Sequence, residues 1–106
     1  MANPWRGEVS LVIDGEPRVL RLTLGALAEL EAGLGEASLV DLVARFEGSG
    51  CSSRDVLALI VAGLRGGGWT GTAQDLLASD IEGGPVVAAR VAAELLTRAF
   101  TPIGEG

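Results

Sequence analysis

Three times along the chain a serine or threonine is followed three residues later by an aspartate: Ser38 with Asp41, Ser52 with Asp55, and Thr72 with Asp75. At a helix start the hydroxyl accepts from the N–H three positions on. The carboxylate accepts in return from the capping residue's own N–H, so two donors without intrahelical partners are satisfied together. The pattern predicts helices over about Leu39 to Phe46, Ser53 to Leu64, and a short one from Thr72 to about Ala78. Leu39, Leu42, Val43 and Phe46 recur at i, i+3, i+4, i+7 and give the first of these a single buried stripe. Two more helices complete the set. One begins after the cap Thr23, carries Leu24, Leu27, Leu30 and Leu34 on one face with Glu29 and Glu31 outward, and ends at Gly33 and Gly35. The last opens at Pro85, whose missing N–H is harmless in a first turn. It carries Val87, Val91, Leu95 and Ala99 on one face and runs to about Phe100 before Pro102.

Ahead of the helices the period changes to two. Val9, Leu11 and Ile13 alternate with Glu8, Ser10 and Val12, and Leu20 and Leu22 alternate with Val19 and Arg21. Asp14-Gly15-Glu16-Pro17 between them reads as a turn. A four-residue loop pairs Ile13 with Arg18, Leu11 with Leu20 and Val9 with Leu22, which places both apolar rows on one face. A bare hairpin is marginal in water, so helices must cover that face. The expected fold is α+β: an N-terminal β-hairpin (7–22) followed by four to five α-helices (24–100) packed on one face, with a tail over 101–106. At 106 residues this is one domain, 1–106.

The side-chain inventory excludes much chemistry. The chain holds 14 acidic residues against 8 basic ones, all of them Arg, for a net charge of −6, and it has no His, no Lys and no Tyr. The usual general bases and amine nucleophiles are missing. One Cys, Cys51, builds neither a zinc site nor an internal disulfide, and without a His to activate it reads as a small loop residue. No catalytic residue, cofactor or metal site is expected. The acidic balance and scattered arginines argue against nucleic acid. The longest uncharged apolar segment, Val56 to Leu64, has nine residues, about half of a membrane span. The N-terminus lacks a basic start followed by an apolar stretch, so a cytoplasmic protein is expected.

Gly66-Gly67-Gly68 follows a helix end, where the dipole is wrong for an anion, and reads as a stop signal and hinge rather than a phosphate cradle. The predicted third helix is the most informative stretch. Val56, Leu57, Leu59, Ile60, Val61 and Leu64 nearly encircle it. Such a helix is either the centre of a small bundle or has one apolar side against another chain. The partner-binding residues of the second reading are Leu57, Val61, Leu64 and Trp69. Trp69 either anchors the contact, as Trp does at interface hot spots, or folds back onto the core.

One resemblance covers nearly the whole chain. Gly7-Glu8-Val9, Ile13-Asp14-Gly15 and above all Leu20-Arg21-Leu22-Thr23-Leu24-Gly25-Ala26-Leu27-Ala28-Glu29-Leu30-Glu31 resemble the opening of a small family from gene transfer agents and related prophages. Leu39-Val40-Asp41-Leu42, Asp55-Val56-Leu57, Leu64-Arg65-Gly66-Gly67-Gly68 and Ala93-Glu94-Leu95-Leu96-Thr97-Arg98-Ala99-Phe100 continue it. The family is similar to tail assembly chaperones of long-tailed phages and has also been described as a tail tube protein. The resemblance implies a helper that coats the apolar helices of the tape measure protein until tube subunits polymerise around them. Tail tube subunits and a second copy of the chain are further partners in that reading. The alternative role is a structural tail component, a tube or terminator subunit. The family brings no catalytic motif.

Overall fold

Asp14 and Gly15 both hold positive φ, at 53° and 80°. Two such residues in succession make the tight primed turn whose twist matches that of the flanking strands. In the computed structural model, which describes residues 7–33, 39–47 and 52–100, this turn joins β1 (Glu8–Ile13) to β2 (Glu16–Arg21). The strands pair antiparallel, with Ile13 opposite Glu16, Leu11 opposite Arg18 and Val9 opposite Leu20. The expected four-residue loop and its register are thereby corrected. The turn takes two residues, and Glu16 and Pro17 join the strand. The difference is a two-residue slip, and side chains alternate with period two, so every residue keeps its predicted face. Counting from the closing pair, Pro17 opposite Val12 occupies a non-hydrogen-bonded position, where its missing N–H costs nothing.

The turn is tied to the far end of the chain. Asp80 N–H donates to the Asp14 carboxylate at 2.8 Å, and Asp14 N–H donates to the Asp80 carbonyl at 2.8 Å. Glu82 N–H donates to the Val12 carbonyl at 3.0 Å. An alanine at position 14 loses the side-chain acceptor and tolerates positive φ less well. Asp14→Ala is expected to cost about 1 to 2 kcal/mol, read as a lower urea midpoint at unchanged slope.

Among the described residues five helices follow: α1 (Leu24–Gly33), α2 (Leu39–Glu47), α3 (Ser53–Gly66), α4 (Ala73–Leu77) and α5 (Gly84–Phe100). The fold is the α+β arrangement that the periodicities predict. The reciprocal caps form at α3 and α4. Asp55 N–H donates to Ser52 Oγ at 3.2 Å while Ser52 N–H donates to Asp55 Oδ2 at 3.0 Å. At α4 the matching distances are 3.3 and 2.9 Å for Thr72 and Asp75. Thr23 caps α1 through its hydroxyl, which accepts from Ala26 N–H at 3.0 Å. Leu34, Ser38, Gly48–Gly50, Cys51 and the tail lie outside the described residues.

The hairpin buries Val9, Leu11, Ile13, Leu20 and Leu22. α3 packs over β2 and α5 over β1, while α1 lies against α3. On α1 the buried row is Ala26 and Leu30, with Leu27 half-buried. Leu24, expected on that face, is 85% exposed. Leu24 precedes Ala26 by two residues, about 200° around the helix, so a face centred on Ala26 and Leu30 turns it to water. On α5 the buried face is wider than the predicted stripe. Ala88, Val91, Ala92, Leu95 and Leu96 are all buried, because the helix meets both the hairpin and α3.

Candidate functional site

α3 supplies the centre of the molecule and a half-buried apolar flank. Leu59, Ile60 and Leu64 are at most 1% exposed and form core with Leu20 and Leu95. Val56, Leu57, Ala58 and Val61 pack against that core but are only half-buried. One side of the helix is thus the centre of the bundle, as the first reading expects, and the other keeps a half-buried apolar face.

The four residues expected to bind a partner divide accordingly. Leu57 and Val61 lie on the half-buried side and line grooves. Leu64 is corrected: at 1% exposure it belongs to the core rather than to the surface. Trp69 is half-buried and packed against the core. A side chain at Gly71 would fall 2.2 Å from its Cζ2, so the indole lies flat over that glycine. Of the two roles weighed for Trp69, the structure shows the folded-back one.

Two apolar grooves flank Leu57. The larger, about 600 Å³, runs between α3, α4 and α5 and is lined by Val56, Leu57, Leu77, Ile81, Pro85 and Ala88 among others. Leu77 beside it is 68% exposed. The smaller, about 230 Å³, runs between α1 and α3. Its floor is Leu30, Leu57, Ala58, Val61 and Ala73, and Glu29, Arg54 and Arg65 stand on its rim. Grooves of this kind, bordered by helices and floored by aliphatic side chains, suit the apolar face of another helix. A third depression of about 550 Å³ along β1 and α5 is polar, rimmed by Glu82, Arg90, Glu94 and Arg98. Leu77, Pro85 and Ala88 were not singled out from sequence. The signal was the Leu76–Leu77 doublet: on a one-turn helix two adjacent leucines cannot both face the core, and Leu76 takes the buried place.

The electrostatics around α3 are local. Asp55 accepts two hydrogen bonds from Arg45, Nε to Oδ2 and Nη2 to Oδ1, both 3.0 Å. The Arg45 guanidinium, aided by the Ser52 N–H, holds the Asp55 carboxyl below the ordinary aspartate value against the opposing effect of burial. This pair pins α2 to the start of α3, alongside the fully buried Leu42. Arg65 approaches Glu29 at 3.6 Å and donates to the Gly71 carbonyl at 3.3 Å. Among the described residues no group of three or more His, Cys, Asp or Glu side chains is placed to hold a metal ion. No helix there is long and apolar enough to cross a membrane.

A family model described as "Phage tail tube protein, GTA-gp10" matches residues 6–101. No curated protein and no solved structure matches the chain.

Proposed function

Because the chain belongs to the phage tail tube protein GTA-gp10 family of gene transfer agent and phage tails, we propose that it acts as a tail assembly chaperone in the cytoplasm. It binds apolar helical segments of the tape measure protein and performs no catalysis. The observation that carries this reading is the pair of apolar grooves astride Leu57 on a small acidic protein. Leucine, valine and alanine surfaces give adaptable, reversible contact with helices of varied sequence. A net charge of −6 keeps such a surface soluble.

The family's description supports a second reading, in which the chain is a structural subunit of the tail. The two roles differ in where the protein ends up. A chaperone leaves before maturation; a tube or terminator subunit stays in fixed proportion. Mass spectrometry of purified mature particles separates them: the chaperone reading expects the chain to be absent, and stoichiometric presence selects the structural role.

The grooves themselves are testable apart from the particle. Replacing Leu57 and Val61 by Asp puts charge on the groove floors without touching the fully buried Leu59, Ile60 and Leu64. Binding of the tape measure is expected to fall about a hundredfold or more. The circular dichroism spectrum and cooperative unfolding should persist. Loss of the fold would mean that these positions serve only the core.

A further inference from the structure

The smaller groove carries a charge pattern along its α3 wall. Arg54, Leu57, Ala58, Val61 and Arg65 all line it. On a helix, positions 54, 58, 61 and 65 fall within a narrow stripe, and Leu57 borders it. The order along the stripe is cation, apolar, apolar, cation. Its two arginines stand eleven positions apart, roughly 16 Å along the helix axis.

The two cations differ in what they hold. Arg65 meets Glu29 at 3.6 Å, with both side chains well exposed, a weak and exchangeable pair. Arg54 is exposed at the start of α3 and makes no ion pair or side-chain hydrogen bond among the described residues. The charge of the whole chain is −6, so an acidic guest is disfavoured everywhere except where arginines meet it. A guest helix therefore gains from carboxylates only in one register, with one at Arg54 and another competing with Glu29 for Arg65.

We infer that the α1–α3 groove selects amphipathic helices whose apolar pair is bracketed by acidic residues eleven positions apart, in the pattern Glu-x-x-x-Leu-x-x-Leu-x-x-x-Glu. The occupant as a helix rests on the proposed chaperone function; the acidic bracket rests on the arginine spacing. The apolar pair seats against Leu57 and Val61, and the carboxylates set the register. Charge placed at the rim of an apolar contact governs specificity more than total affinity.

The test uses the intact chain and two synthetic helical peptides of about eighteen residues, long enough to hold helix in an alanine-rich background. Both contain the leucine pair; one has Glu at the bracketing positions and the other Lys. Fluorescence anisotropy is expected to show the Glu peptide binding about tenfold tighter, with the difference shrinking as salt rises. Arg54→Glu is expected to erase or reverse the preference. A carboxylate in the first turn of a helix is itself favourable, so this variant should fold. Equal affinities, a preference for Lys, a preference that survives Arg54→Glu, or no binding of either peptide overturns the inference. If the tape measure protein still binds in any of those cases, the chaperone reading stands and only the acidic bracket falls.

Discussion

Gly66→Ala is expected to be among the most damaging single-methyl changes available in this protein. A Cβ at position 66 would lie 1.8 Å from the Arg21 carbonyl oxygen, and one at position 67 would lie 2.0 Å from the Val19 carbonyl oxygen. Both clashes are with backbone, which has no rotamer to escape into. Val19 and Arg21 occupy non-hydrogen-bonded positions opposite Ser10 and Glu8, so their carbonyls point away from β1. The bare Cα hydrogens of the two glycines face those oxygens and let the end of α3 close over the open edge of β2. Such covering keeps the edge from recruiting another strand. Alanine at 66 must push α3 off β2, and with it the close seating of Gly63 against Leu20. The expected loss is about 3 kcal/mol, read from urea unfolding. Gly68→Ala tests a different cause, because Gly68 holds φ at 104° without any crowding. It sits where the chain leaves α3, with Trp69 N–H donating to the Leu64 carbonyl at 2.9 Å and Gly68 N–H to Arg65 at 3.0 Å. That is the Schellman closure of a helix, which needs a left-handed residue. Its alanine variant should cost about 1 kcal/mol, clearly less than the variant at 66.

Asp55→Ala is the second large effect. One carboxylate closes the capping box with Ser52 and accepts both hydrogen bonds from Arg45. Losing the cap costs about 1 kcal/mol, and losing a part-buried bidentate pair adds a comparable amount or more, for a total of about 2 to 3 kcal/mol. α2 should loosen first, because Arg45 is its ionic tie to α3. Hydrogen exchange over residues 39–47 is the sensitive readout. The same group sets an acid dependence. Its folded pKa is depressed, chiefly by the Arg45 hydrogen bonds. Its stabilisation is therefore complete above the unfolded aspartate value of about 3.9 and is lost as pH falls through the lower folded value. Asp55→Ala should flatten the stability profile in that acid window. An unchanged profile would remove Asp55 as its cause.

The helix starts were legible because a capping box is a local device. Ser52 with Asp55 and Thr72 with Asp75 need nothing from the rest of the chain to form. The hairpin faces were legible for a similar reason: a period of two fixes them whatever the loop length. The register was not, since it depended on Asp14 accepting positive φ, and Asp14 is held there by Asp80 far along the chain. Gly66-Gly67-Gly68 shows the same limit. Composition says that a helix stops; only packing says that two of the three glycines are there for the β2 carbonyls. For the site, sequence reached α3 and two of its groove residues, Leu57 and Val61. It placed Leu64 on the wrong side because α3 is apolar all round, and the choice of side is made by β2, α1 and α5. The larger groove was invisible because α4 and α5 build it from residues distant in sequence, among them Leu77, Ile81 and Pro85.

The central claim is that the surface around Leu57 shelters tape measure helices. The direct measurement is affinity purification of the tagged chain from tail-producing cells, with the tape measure protein quantified by mass spectrometry, for the native chain beside the folded Leu57→Asp, Val61→Asp variant. Enrichment of the tape measure with the native chain and its loss with the variant is the predicted result. Equal recovery with both, or none with either, contradicts the claim.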